Sequence, residues 1–261
     1  INDIDVLLVI HPKNLPVRTL FAIDQFVLKG GRTIICVDPF CTADQQNQMT
    51  AMMQPDKVSQ ASNLSQLLNT WGLDMPQLVF AGDRQLAPGT SGAASRESEK
   101  IIGFLNLAPP ACFNRNSVIT AQLNSVRVWF AGALNVIDSP NDAGPIERTP
   151  LIMTTAKGNT FKASSPYDLQ MLDASALMKS FSEGTKPVVM GYLLTGKFKS
   201  SFHDGILAVP DSKAEDANKP GSQTRIMGLV QATENCAVAV FSDVDFLTDP
   251  LAYYRNAIFG N

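Results

Sequence analysis

DVLLVIHPKNLPVRTLFAIDQFVLKGGRTIICVDP, residues 5–39, decides the fold. DVLLVI is a continuous apolar run of the kind buried on both faces of a parallel sheet, and HPKNLP after it is a polar turn. In VRTLFAIDQFVLKGG the residues Leu20, Ile23, Val27 and Leu28 recur at helical spacing, and Gly30 and Gly31 supply a stop. RTIICVDPF is a second buried run that ends in Asp38 and Pro39. Strand, helix and strand in this order make a crossover unit, so the expected class is α/β with a mostly parallel sheet in three layers.

Outward from this unit the pattern holds and then changes. Residues 42–62 are polar and Gln-rich, a surface excursion, and SNLSQLLNTWGL at 62–73 reads as a short capped helix whose Trp71 packs on the sheet. QLVFAGD at 77–83 repeats the strand that ends in Gly-Asp, and APGTSGAASRESEK at 87–100 reads as a mobile loop. From 117 to 223 the chain is β-rich, with KGN and TGK turn signals, one helical stretch at 168–181 and a charged loop at 212–223. Residues 224–261 return to α/β: CAVAVF at 236–241 leads into Asp243 and Asp245, and a helix runs from there to the C-terminus. The expected organisation is one domain, with a core from 1–116 and 224–261 and residues 117–223 as a β-rich antiparallel insertion or sheet extension.

Composition excludes several functions. Apolar residues make up 45% and charged residues 17% of the 261 residues, so the chain folds. A net charge of -3 and a pI near 5.4 offer no positive field for a phosphate backbone, so nucleic acid is not an expected partner. The apolar runs have strand length and fall short of the roughly 20 residues that span a bilayer. The chain opens on Ile1 and reads as an excised or processed piece. Four cysteines without a CxxC pair and two histidines give no metal constellation, and no cofactor motif is present. GxSxG, GxGxxG and GxxxxGK[ST] are absent. SDVDFLTD at 242–249 resembles the DxDx(T/V) phosphatase signature, but Leu247 stands at the Thr/Val position and too little chain follows for the remaining motifs.

In an open parallel sheet ligands sit at the carboxyl ends of the strands. His11, Asp38, Asp83, Asp243 and Asp245 follow strand-like runs, so they are expected on one rim, which is the candidate site for a ligand or partner. An Asp in such a place is also the usual helix cap or turn former. Trp129 and its neighbours Val128 and Phe130 are expected as an exposed apolar contact patch. No catalytic residue is assigned: Cys41 is the one thiol near a strand end, and PFCTA lacks the glycines of a nucleophile elbow.

IDVLLVIHPKNLPVRTLFAIDQFVLKGGRTIICVDP, SNLSQLLNTWGL, VFAGDRQLA and AVFSDVDFLTDPL together resemble, in the same order, the auxiliary component of gliding-motility-type ABC transporters, the GldG-like proteins. The resemblance implies a fold related to class I glutamine amidotransferases, of flavodoxin-like topology, and a domain held at the periplasmic face of the inner membrane by segments outside this chain. It also implies the permease and ATPase of the same system as partners, and a non-enzymatic role in interaction or ligand sensing. The same domain type is similar to part of intraflagellar-transport proteins. The competing reading is a hydrolase or amidotransferase-like enzyme with its site on the strand-end rim, which requires a nucleophile, a base and an oxyanion hole within reach of one another.

Overall fold

The structure is a computed structural model and describes residues 4–45, 59–90, 99–108, 110–138, 146–170, 173–208 and 224–253. The expected mobile loop lies partly, and the charged loop at 212–223 and residues 254–261 wholly, outside the described residues; the helix expected to run to the C-terminus spans Asp249–Ala252 and stops at Tyr253, whose backbone is extended. No helix among the described residues is long and apolar enough to cross a membrane.

The opening unit forms as its pattern dictates: β1 (Val6–Ile10), α1 (Val17–Leu28) and β2 (Arg32–Cys36), with β1 and β2 parallel. Pro16, whose ring fixes φ, stands just before α1. At the other end Gly30 adopts φ +86°, its N–H donates to Val27 O (2.9 Å) and Gly31 N–H donates to Phe26 O (3.0 Å). This left-handed stop satisfies carbonyls that the helix would otherwise leave open. Two polar residues are buried on α1. Asp24 accepts from Ser200 Oγ (2.7 Å) and Ser201 N (3.0 Å). Gln25 pairs with the backbone of Leu229, accepting from its N–H (2.6 Å) and donating to its C=O (2.9 Å).

The chain continues through α2 (Ser65–Thr70), β3 (Leu73–Asp74), β4 (Val79–Gly82), β5 (Gly89–Thr90), β6 (Glu99–Lys100), β7 (Phe104–Leu107), β8 (Val126–Trp129) and β9 (Asn135–Val136). Then come β10 (Glu147–Met153), β11 (Asn159–Lys162), α3 (Pro166–Gln170), α4 (Ala174–Ser180), β12 (Val189–Gly196), β13 (Ile206–Ala208) and β14 (Thr224–Ile226). β15 (Cys236–Phe241), a 3-10 turn at Asp245–Leu247 and α5 (Asp249–Ala252) end the described chain.

The class is α/β, but the sheet is mixed. Its order is β1-β2-β15-β12-β10, with β1–β2 and β2–β15 parallel and β15–β12 and β12–β10 antiparallel. The expectation of a mostly parallel sheet is corrected: antiparallel neighbours need no crossover helix, and the β-rich 117–223 region supplies two of the five strands, β10 and β12. Small two-stranded antiparallel sheets surround it, β4–β11 and β7–β8 among them.

α1 and α2 cover one face, over a core of Ile35, Val37, Tyr192, Leu194, Val238 and Val240. Trp71 is fully buried there with its ring 5.5 Å from that of Phe198, as the sequence indicated. Burial of one such side chain is worth about 1.5–3 kcal/mol. On the opposite face, coverage stops short of the β1 edge. The double burial expected for β1 is corrected, because β1 is an edge strand: Val6, Leu8 and Ile10 are about half exposed. The contact patch expected at Val128–Phe130 is also corrected. Val128 and Phe130 are buried, the latter among Phe40, Phe80, Phe161 and Phe181.

Candidate functional site

Three of the five rim residues meet where β2 and β15 end side by side. After β2, Val37 N–H donates to Phe241 O (2.9 Å), so the two turns leave the sheet together. Asp38 Oδ1 accepts from Phe40 N (2.8 Å) within its own turn, and Oδ2 accepts from Val244 N (2.8 Å) in the other. Asp243 accepts from Phe246 N (2.9 Å) at one oxygen and from Trp129 N (2.7 Å), at the end of β8, at the other. Asp245 reaches back to the β2 turn. Its Oδ1 takes Ala43 N (2.8 Å) and Cys41 Sγ (3.3 Å), and its Oδ2 takes Thr42 N (2.8 Å) and Thr42 Oγ1 (2.6 Å). Every oxygen of the three carboxylates holds a protein donor, and all three residues are buried.

His11 sits beside this cluster without joining it. It leaves β1 at φ +49°, and its Nε2 lies 3.2 Å from Asp44 Oδ2, which Lys13 also contacts. Burial raises the Asp44 carboxyl, but Lys13 and His11 outweigh it and hold the group below its usual range. Asp83 belongs elsewhere, which corrects the expectation of one rim. Its strand β4 pairs with β11 and not with the five-stranded sheet, and its carboxylate is taken by Gln85 N (2.8 Å), Thr155 N (2.9 Å) and Thr155 Oγ1 (2.6 Å).

Crowding three carboxylates in a buried place shifts them. Burial, then the Asp243 charge, push Asp38 well above the carboxylate range, and burial pushes Asp243 up to about 7 against the N–H donors that favour its ionised form. The thiols move the same way. Burial with Asp243 and Asp38 pushes Cys36 up to about 12, and burial with Asp38 and Asp245 raises Cys41 further. A nucleophilic cysteine needs the opposite, a thiol pushed down by nearby positive charge. Cys112 and Cys236 are also buried and raised, by burial first.

Asp38, Cys41 and Asp245 place ligand atoms within 4.8 Å of one another. A cation there would have to displace the N–H and O–H donors of Phe40, Thr42, Ala43 and Val244, so the donor set serves the two turns rather than a metal.

The concave surface lies next to the carboxylates. A cleft of about 420 Å³ is lined by Pro12–Asn14 after β1, Pro39 and Phe40 after β2, residues 59–63, Gln77, Leu78 and Pro166. No carboxylate lines it, and its one charged residue, Lys13, is paired with Asp44. The rest is amide, hydroxyl, proline and apolar surface.

Strained backbone gathers around this cleft. Among the described residues the non-glycine positions with positive φ are His11, Asn14, Leu78 and Phe130. Asn14 and Leu78 line the cleft, His11 adjoins Pro12, and the Phe130 ring packs 6.1 Å from that of Phe40. Strain of this kind persists where surrounding structure over-determines it, often around a binding site. A larger cavity of about 590 Å³ opens at the other end of the strands, between Asp5, α1 and Arg32, away from the strand ends that carry ligands in α/β sheets. Asn14, Gln60, Asn63 and Gln77 did not stand out in the sequence, because neutral polar residues in turns carry no chemical signature. Their common position after strand and turn signals was the available cue.

No curated protein matches the chain. Among solved structures, the mmIFT52 N-terminal domain is similar with a TM-score of 0.39 and 9% identity, over 95% of this chain and 69% of that one. The model of the family described as ABC-type uncharacterized transport system matches residues 1–260. The chain therefore belongs to that family, the auxiliary component of an ABC-type transport system.

Proposed function

We propose that this domain is a non-enzymatic accessory of a membrane-anchored, GldG-like ABC transport system of the gliding-motility type. It stands at the periplasmic face of the inner membrane, is anchored by segments outside this chain, acts with the system's permease and ATPase, and senses a small uncharged ligand in the cleft at the ends of β1 and β2. The observation that carries the reading is the contrast at the strand ends. The reactive-looking groups are buried, hydrogen-bonded and held protonated or spent on backbone N–H groups, while the adjacent cleft offers neutral hydrogen-bonding surface. A relation to class I glutamine amidotransferases belongs to the same proposal; the parallel trio β1-β2-β15 supports it, and the antiparallel pair β12–β10 lies outside that pattern.

The test has two readouts. Full-length tagged protein drawn from detergent-solubilised membranes should bring down the permease and ATPase, and the purified domain should hydrolyse no small amide or ester. In a thermal-shift screen of neutral small molecules, a stabilising ligand should lose its effect in the Asn14→Gly/Gln77→Ala double variant, where glycine keeps the φ +48° of position 14. Turnover that disappears in Cys41→Ala would establish the enzymatic alternative instead.

A further inference from the structure

Asp38 joins three segments of the chain. Its carboxylate takes Val244 N (2.8 Å) in the β15 turn and Phe40 N (2.8 Å) in its own. Its backbone meets residue 62: Asp38 N donates to Ser62 O (3.3 Å) and Ser62 Oγ (3.1 Å), and Ser62 N donates to Asp38 O (2.7 Å). Two further bonds continue this contact, from Cys41 N to Gln60 O (2.9 Å) and from Gln60 Nε2 to Cys41 O (3.0 Å). Residues 39–40 and 59–63 are two walls of the cleft of about 420 Å³, so both walls are fixed to Asp38.

Behind Asp38 stands Asp243, the residue before Val244, and both side chains are buried. Neither has a counter-ion. Among the described residues no lysine, arginine or histidine pairs with Asp38, Asp243 or Asp245. Cys36 and Cys41 face the pair from β2 and its turn, and Asp245 faces it from the β15 turn. β8 brings the Trp129 N–H and carries half-buried Arg127, set opposite Asn106 in its ladder. Residues 59–63 carry no charge, Asp249 opens α5 at the surface, and Lys13 and His11 are held by Asp44 on the outer side of the β2 turn. Burial raises both thiols, which stay neutral. The buried groups around the pair therefore add negative charge, at Asp245, and none of the opposite sign. The backbone N–H donors stabilise one negative charge on the pair; a second is opposed by burial and by the first.

We propose that Asp38 and Asp243 hold one proton between them and gate the cleft by pH: loss of the proton sets like charges against each other, drives Asp38 from the β15 turn and displaces the walls at 39–40 and 59–63. The step belongs to the pair, and the position of Asp243, pushed up by burial to about 7, sets it near neutral pH. Below the step the pair is singly charged and the cleft keeps its shape; above it the walls separate and ligand affinity falls. The use of the gate rests on the ligand-sensing reading of the cleft, whereas the gate itself rests on the buried pair.

A pH titration of the isotope-labelled chain by NMR, with no ligand present, tests the gate. The expected result is an Asp side-chain carboxyl signal that titrates near pH 7, with the amides of Phe40, Ser62, Val244 and Trp129 shifting at the same midpoint. The amides of Val6 and Arg32, at the far end of the sheet, should not follow it. Asp243→Asn should remove the transition from Phe40 and Ser62, and Asp38→Asn should remove it from Trp129, a transfer across the pair that a purely local turn contact would not show. Where a variant fails to fold, the wild-type curves decide alone. Carboxyl midpoints that all stay in the ordinary carboxylate range overturn the proposal. So does a neutral midpoint that Phe40 and Ser62 ignore. Because no ligand enters this measurement, a ligand screen without a hit removes the sensing role of the cleft and leaves the gate standing. A stabilising ligand from that screen should bind several-fold more weakly at about pH 8 than at about pH 6, and an unchanged Kd overturns the coupling to the cleft.

Discussion

A carboxylate that follows a buried strand can hold a ligand or hold the turn, and the position of backbone N–H groups decides between these uses. At Asp38, Asp243 and Asp245 the donors come from both turns and from β8, so the side chains tie the ends of β2 and β15 to each other. Such ties cost something electrostatically, and pH reads that cost. In the unfolded chain an Asp releases its proton near the ordinary carboxylate value of 3.8, whereas folded Asp243 keeps it to about 7. Unfolding therefore releases protons between these values, and stability falls as pH rises from about 4 to about 7. Asp38 and Asp24, both raised first by burial, act in the same direction. Asp44, half-buried, and Asp168, exposed, are lowered, so their contributions change only below the usual carboxylate value, outside this interval. The expected outcome is a thermal midpoint that declines across this interval and a flatter profile in Asp243→Asn. A midpoint that climbs with pH over the same range would contradict the assignment.

At the scale of the element, α1 shows how local pattern and distant contact divide the work. Its limits follow from Pro16 and from the glycine stop, and its apolar spacing points Ile23, Val27 and Leu28 at the sheet. Asp24 and Gln25, which a sequence reading leaves to solvent, are buried because the segments at 200–201 and 229 bring peptide groups to them. Gln25→Ala leaves both the N–H and the C=O of Leu229 unpaired in a part-buried place. It should lower stability by about 1–3 kcal/mol. Lys29→Ala, at the exposed end of the same helix, should leave the urea midpoint unchanged; equal effects of the two would remove the special role of Gln25.

For the whole molecule, the decisive strand arrives last. β15 lies between β2 and β12, so the sheet closes only when residues some two hundred positions apart come together. Loop-closure entropy is spent before that contact forms, which makes the pairing of β2 with β15 a late and necessary event. A fragment ending at residue 234 lacks the central strand, and β2 and β12 lose their shared partner. It should show no dispersed amide spectrum and no cooperative melt, and a cooperative transition in that fragment would show that the two halves of the sheet fold independently.

The sequence by itself determined the strand-helix-strand opening, the α/β class, the burial of Trp71 and the turn-forming use open to its strand-end carboxylates. Each depends on residues within a few positions of one another, through apolar spacing, a proline start and a glycine stop. Only the tertiary structure decided that β1 is an edge, that β12 runs antiparallel to both of its neighbours, β15 and β10, that Asp83 stands apart from Asp38, Asp243 and Asp245, and that Phe130 is interior. VLLVI and CAVAVF are both wholly apolar runs, yet one lies at an edge and the other is central, because exposure depends on which strands lie alongside, and those neighbours come from distant parts of the chain.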